Sequence, residues 1–355
     1  MNAATAMLNF NRYTQVACAC DRHHRMKAAV RQVSAYAPAR LHLGFLDPSG
    51  SRGRRFCSVG LALEGLGVAL TAERASSFSV SGPQAARVEA FARVIREQFN
   101  LPGECRFFVH EAIPEHVGLG SGTQLAIAVG VALAGLYRLD LPARAVATLY
   151  QRGQRSGIGV GAFEQGGFLV DGGKDAGVEP PPIVSRLEFP ADWRVVLLLD
   201  PAVQGLHGER EIAAFQSLPE FPESKSARLC RLMFTQALPA LAEQSLDKFG
   251  RAIGELQRVV GDYFAPAQGG RFSSPRVAEA LAWMESQGIT GIGQSSWGPT
   301  GFAIVGDGVQ ASALVHAAQA RWGGPGRLQF MVCSGRNRGG EIELVPLARA
   351  SADTK

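Results

Sequence analysis

Pro114-Glu-His-Val-Gly-Leu-Gly-Ser-Gly-Thr123 runs directly into the apolar stretch Gln124–Tyr137. Gly118, Gly120 and Gly122 alternate where a strand should end and a helix of about four turns should begin. Small residues let the backbone turn tightly and bring its N–H groups close to a bound group. The first amides of a helix lack intrahelical partners and sit at the positive end of its dipole. Ser121 and Thr123 add hydroxyl donors, so the stretch predicts an anion site, most often one for phosphate. A plain tight turn is the competing interpretation. No Lys follows the glycines, as it would in a Walker A loop, and their spacing is not that of a dinucleotide fingerprint.

The chain around this loop has 355 residues, enough for two domains. Hydrophobic residues make up 46% and charged ones 19%, the balance of a globular protein. No apolar run reaches the roughly 20 residues that span a bilayer. The cysteines at 18, 20, 57, 105, 230 and 333 show neither a disulfide framework nor zinc-ligand spacing, which fits a reducing cytoplasm. The net charge of +5 is concentrated in residues 1–34, where five Lys/Arg face one acid; the remainder has 31 basic and 30 acidic residues. A near-neutral body argues against a nucleic-acid partner. Of the 36 basic residues 31 are Arg, which suits a bidentate grip on phosphate or carboxylate, although GC-rich coding would give the same skew.

Residues 1–34 carry no sustained period and are expected to be a disordered extension. Cys18, Cys20, His23 and His24 have no scaffold to fix metal geometry. Short strands are predicted at Arg31–Tyr36, Leu41–Leu46, Phe56–Leu63, Val68–Glu73 and Ser77–Ser81, then a helix over Ala85–Phe99 and a strand over Cys105–Glu111. Helices follow at Gln124–Tyr137 and Pro142–Arg152. A second glycine segment, Arg155-Ser-Gly-Ile-Gly-Val-Gly161, leads to Gly166–Gly173. Glu179-Pro-Pro-Pro182 is the strongest punctuation, so one domain is drawn over 35–190 and a second over 191–355. In the second, strands are expected at Trp193–Leu199, Phe302–Val305 and Leu328–Cys333. Helices are expected near Gly208–Phe215, Ser224–Glu243, Leu246–Phe264, Pro275–Gln287 and Val309–Arg321. Strands and helices without regular βα alternation indicate an α+β protein in two lobes.

The glycine loop resembles the P-x-x-x-G-L-G-S-S/G phosphate loop of the GHMP kinases, and the resemblance extends over roughly residues 35–345. Pro38-Ala-Arg-Leu-His-Leu-Gly-Phe-Leu-Asp47 stands at the family's first motif. Arg155-Ser-Gly-Ile-Gly159 stands where those kinases carry P-S-G-I-D, and Gly293-Gln-Ser-Ser-Trp-Gly-Pro-Thr-Gly-Phe302 replaces their third glycine-rich motif. The resemblance implies a ribosomal-S5-like N-terminal lobe and a ferredoxin-like C-terminal lobe. Two departures stand out: Gly159 replaces the Asp near the phosphorylated hydroxyl, and the third motif has gained Trp297 and Pro299. The set is more similar to a non-kinase branch, the β-ribofuranosylaminobenzene 5′-phosphate synthases of methanopterin biosynthesis. That branch implies decarboxylating phosphoribosyl transfer from phosphoribosyl pyrophosphate to 4-aminobenzoate or 4-hydroxybenzoate, with Mg2+ and a homodimer. An ATP-dependent small-molecule kinase is the alternative, and a non-catalytic relative that keeps only the fold is a third reading.

The chemistry is compatible with Gly159. The ring carbon bearing the carboxylate attacks the anomeric carbon, and aromaticity returns as CO2 leaves, so no ring proton needs a base. What such a site needs is a grip on phosphates and a cavity that limits water. Gly118, Leu119, Gly120, Ser121, Gly122 and Thr123, with Ser295, Ser296 and Thr300, are the expected phosphate contacts. Arg40 and Arg155 are candidate anion clamps, and His42, on the same strand face as Arg40, is a candidate substrate contact. Asp47, Glu164 and Asp171 are candidates for Mg2+ or ribose hydroxyls, Asp47 and Asp171 being the metal candidates. Each has a structural alternative: an ion pair for Arg40, turns for Asp47 and Asp171. Trp297 stacks on the acceptor ring or packs in the core. His207 is a candidate loop contact, His116 a structural residue, and Arg336 and Arg338 are expected to be solvated charges.

Overall fold

The computed structural model describes residues 30–205 and 208–347. Most of the expected N-terminal extension and the candidate contact His207 lie outside these.

The four strands expected before residue 75 are two long ones, β1 (Val30–Asp47) and β2 (Phe56–Ala75), paired antiparallel almost throughout. Pro38, which has no N–H to donate, is absorbed at a register shift between Pro38 and Arg40; a second shift falls between His42 and Gly44. These irregularities bracket Arg40 and His42, two of the three functional candidates on β1, the third being Asp47 at its end. After β3 (Ser79–Ser81) comes helix α1 (Ala85–Gln98), then β4 (Glu104–Glu111), which pairs with β2 and leads to the glycine loop.

Helix α2 (Ser121–Tyr137) starts at the loop and is buried on nearly every side from Gln124 to Leu136, so it is the core element of the first lobe. Gly130 is required there: a Cβ would come 2.3 Å from Val146 Cγ1 on the next helix, α3 (Ala143–Leu149). The second glycine segment runs into a helix, α4 (Ile158–Glu164), although glycine disfavours helix interiors. Close packing explains it, since a Cβ on Gly161 would lie 2.6 Å from Ile183 Cδ1. Strands β5 (Phe168–Asp171) and β6 (Ile183–Leu187) follow, with β5 on β2.

The second lobe starts with the apolar β7 (Arg194–Leu199). Helix α5 (Gly208–Ser217) comes next, then α6 (Glu223–Leu232), a π-helical turn (Met233–Ala237) and α7 (Leu238–Ala242), which together fill the predicted single helix. Helices α8 (Leu246–Gln268) and α9 (Pro275–Ser286), strands β8 (Ile292–Gln294) and β9 (Gly301–Val305), helix α10 (Gly308–Trp322) and strand β10 (Gln329–Gly335) complete it. Val196 and Leu198 of β7 meet Leu281 and Met284 of α9 and Leu314 of α10 in a separate apolar cluster. The last strand, β11 (Glu341–Pro346), returns to pair with β1.

One sheet runs through both lobes in the order β11-β1-β2-β10-β7-β9-β8. Its junction is short: Ser334 and Gly335 of β10 pair with Glu64 and Leu63 of β2. Arg336, expected to be a solvated charge, is instead 2% exposed at this junction. It donates to both Glu64 carboxylate oxygens at 2.8 and 2.9 Å and to Glu341 at 2.6 Å, and its guanidinium lies 4.9 Å from the Tyr36 ring centre. Arg338 is exposed but pairs with the same two acids. Burying a guanidinium is costly unless such partners compensate it; Glu64 comes from a distant part of the chain and Glu341 from five residues on.

Candidate active site

Gly118 and Gly120 both adopt left-handed backbone conformations, φ 88° and 87°, which turn the chain sharply before α2. Gly120 is the residue that caps the helix, and no side chain occupies the cap. Thr123 N and Gln124 N donate to Gly120 O, and the start of the helix faces a cavity of about 330 Å3. Gly118, Gly120, Ser121, Gly122 and Thr123 line it, as the sequence predicts, whereas Leu119 points into the core at 0% exposure.

The third glycine segment reaches the same place from the other lobe. Ser295 Oγ donates to Gly118 O at 2.8 Å and accepts from His42 N at 3.0 Å. Ser295 is therefore a fully buried fastener between lobes rather than an exposed phosphate donor. Ser296, with φ 57°, lines the cavity. Thr300 is 0% exposed and accepts from Ser295 N through its carbonyl, which places its hydroxyl in the interior.

Arg40 also lines the cavity, and its Nη1 donates to Gly118 O. Burial lowers its guanidinium to about 10, opposed by the Glu211 carboxylate, so it stays cationic at neutral pH. Arg155 pairs with Glu211 of α5 at 2.6 Å and lies over the Phe215 ring. It therefore acts on the cavity through Glu211, which lines the cavity. Two arginines that sequence reasoning did not single out complete the wall: Arg87 on α1 and Arg152 just after α3. Their approach to the loop spans some 30 residues of sequence in either direction, and no local motif marks it.

His42 faces a second, inner cleft of about 30 Å3 with Phe45, Phe264, Gln268, Gln294 and Arg271. Its ring is 2% exposed, neither ring nitrogen has a hydrogen-bond partner, and its edge meets Phe45 with centroids 4.6 Å apart. Burial, reinforced by the Arg40 charge, drives its pKa down to about 3, so the imidazole is neutral. Trp297 packs 4.4 Å from Phe264 and 5.2 Å from Phe215. Trp297 is core-packed, and with Ser296 it also lines both the cationic cavity and the aromatic cleft.

The acidic candidates stand apart. Asp47 accepts from Gly50 N at 2.9 Å and Ser226 Oγ at 3.1 Å, holding the turn after β1. Asp171 accepts from the amides of Ser58, Gly157 and Gly173 at 2.7–2.9 Å. Burial raises its pKa while those amides lower it. Glu164 pairs with Arg144 at 2.9 Å and lines a different surface pocket. None of the three lines the loop cavity or the inner cleft. Among the described residues no group of three or more His, Cys, Asp or Glu is placed to hold a metal ion. Both oxygens of Asp171, and Oδ1 of Asp47, are committed to the chain's own donors rather than presented to the loop cavity. His116 lines the cavity beside the loop, and His110 bonds Thr71.

A glycine-capped helix start between two lobes that share one sheet defines a class. The sequence pattern of the GHMP kinases N terminal domain matches residues 86–167, and that of the GHMP kinases C terminal domain matches 237–324. Homoserine kinase from Cytophaga hutchinsonii has the same fold, with a TM-score of 0.55 at 15% identity over 91% of this chain and 99% of that one. Within the class, the β-ribofuranosylphenol 5′-phosphate synthase of Archaeoglobus fulgidus is 34% identical over 324 residues, 86% of this chain and 98% of the relative. That of Methanothermobacter thermautotrophicus is 30% identical over 85% of this chain and 96% of its own. The chain belongs to the β-ribofuranosylphenol 5′-phosphate synthase family, a family of enzymes built on the GHMP fold. No helix among the described residues is long and apolar enough to cross a membrane.

Proposed function

We propose that the protein transfers phosphoribose from phosphoribosyl pyrophosphate to a para-substituted benzoate with loss of CO2, the committing step towards a methanopterin-type carrier. The observation that carries this reading is the shared wall: Ser296 and Trp297 line both an arginine-rich cavity and an aromatic cleft. The cationic side suits a phosphorylated sugar. The aromatic side suits the acceptor. The inner cleft is smaller than a benzoate ring requires, so the ring belongs at its mouth, against Trp297.

The C1–O bond to pyrophosphate breaks and a bond from C1 to the ring carbon forms. That carbon then loses CO2, whose bonding pair restores the aromatic ring, and pyrophosphate leaves with the C1–O pair. No net proton is taken, which accords with Gly159 at the position of the kinase acid: a Cβ there would already lie 3.1 Å from Thr123 Cγ2. Glu211, the carboxylate that does line the cavity, is engaged by Arg155. The name of the relatives points to a phenol product and hence to 4-hydroxybenzoate; 4-aminobenzoate has the same electron-donating geometry. Magnesium enters this reading as the companion ion of the donor's diphosphate, and homodimer formation, measurable by light scattering, belongs to it as well.

The test is incubation with phosphoribosyl pyrophosphate, Mg2+ and carboxyl-labelled 4-hydroxybenzoate or 4-aminobenzoate. Labelled CO2 with equimolar pyrophosphate and no ATP requirement is the expected outcome. ADP formation with a small alcohol, and no CO2, would replace this reading with that of a kinase.

A further inference from the structure

Gly122, the last glycine of the loop, lies beneath two guanidinium groups. A Cβ at this position would be 3.1 Å from Arg87 Nη2 and 3.4 Å from Arg152 Nη1. Arg87 has counter-charge, pairing with Glu115 at 3.1 Å and bonding Gln84 at 2.8 Å. Arg152 has none: among the described residues it makes no ion pair, and its Nε is buried without a partner. Its charged group lies 5.6 Å from the Phe91 ring centre. Two like charges facing one cavity across a glycine oppose each other unless an anion joins them. Burial and the Arg87 charge both lower the pKa of Arg152, in the same sense.

The two ends of the loop have different neighbours. Its first glycine, Gly118, abuts Ser295 and Gly298 beside the aromatic cleft, and Gly122 abuts the arginine pair. We propose that Arg87 and Arg152 clamp the diphosphate of the donor against the start of α2, with C1 directed towards Ser296 and Trp297 and the 5′-phosphate held by other groups. This rests on the reading above and extends it. The donor is an α-diphosphate and the product a β-riboside, so a single displacement inverts C1. The leaving group must then face away from the incoming ring. An acceptor at the cleft places the diphosphate at the opposite end of the loop, where the amides of α2 and two planar, bidentate donors converge.

Titration calorimetry of the full-length protein with inorganic pyrophosphate, and separately with ribose 5-phosphate, both with Mg2+, tests the assignment. Arg152→Gln and Arg87→Gln should each weaken pyrophosphate binding by about tenfold or more and leave ribose 5-phosphate unaffected. Loss of ribose 5-phosphate affinity with pyrophosphate binding intact would reverse the donor's orientation and overturn the proposal. Unchanged affinity for both would show that the pair is no clamp. Arg87 is partly exposed, so Arg87→Gln decides the matter if Arg152→Gln melts early. The carboxyl-label assay on the unaltered protein is independent: clamp-dependent pyrophosphate binding without CO2 release would keep the clamp and remove the reaction.

Discussion

Gly118 and Gly298 meet backbone to backbone across the lobes: a Cβ on Gly118 would lie 2.8 Å from Gly298 Cα, and one on Gly298 only 2.3 Å from Gly118 N. The glycine loop is therefore shaped by the other lobe as well as by its own helix. Gly298→Ala should push the loop out of place, abolish most turnover and cost roughly 2 kcal/mol or more of stability, the range of a buried steric clash. Urea unfolding together with the CO2-release assay measures both. Full activity with normal stability would show that the contact yields easily.

The neutral His42 makes a pH prediction with a definite sign. Its folded pKa of about 3 lies below the ordinary 6.5. As pH falls the unfolded chain takes the proton first, so this contribution is present above about 6.5 and is lost progressively towards about 3. The slope approaches about 1.4 kcal/mol per pH unit. In His42→Gln the decline of unfolding free energy between pH 6.5 and 4 should be shallower by up to that amount. Parallel declines in the two proteins would show that this imidazole is not held neutral.

Asp171 separates a structural role from a metal role. Three amides converge on its carboxylate. Asp171→Asn would turn one acceptor oxygen into a donor facing those amides, and should cost about 1–3 kcal/mol. The concentration of Mg2+ giving half-maximal rate should not move. A rise in that concentration without loss of stability would make Asp171 a metal ligand after all.

Arg336→Met removes a buried cation and leaves Glu64 and Glu341 facing each other. Both acids reach solvent, with side-chain exposures of 35% and 59%. The loss should thus fall at the lower end for a broken buried pair, about 3 kcal/mol. Chemical denaturation checks it, and adding Glu64→Gln to Arg336→Met should recover part of the loss.

The loop and the all-apolar helix after it were legible in the sequence because their information is local: glycine spacing, a helix start and an uninterrupted hydrophobic run. The α+β, two-lobed arrangement followed from the same local patterns together with the family resemblance. The expected strands break around Pro38 and Gly65, yet β1 and β2 carry straight past them. The glycines of 157–161 resemble a second loop in composition but serve close helix packing. Ser295, Thr300 and Asp171 have the right chemistry for substrate, and the fold spends it internally. Arg87, Arg152 and Arg336 could not be distinguished from other arginines by any neighbour in sequence. Arg87 and Arg152 meet at the loop, and Arg336 meets Glu64, only through the tertiary fold.

The pairing of Ser334 and Gly335 with Glu64 and Leu63 has a mechanical meaning. Because hydrogen bonds run unbroken from the outer strand of one lobe to that of the other, with Arg336 riveted beside the seam, the halves cannot swing like jaws without tearing a ladder. Any closing of the loop cavity over a ligand must then fall to smaller parts, and α5 borders that cavity through Gly208 and Glu211. That helix is fastened to the frame by the Arg155–Glu211 pair and by Phe215 lodged against Trp297.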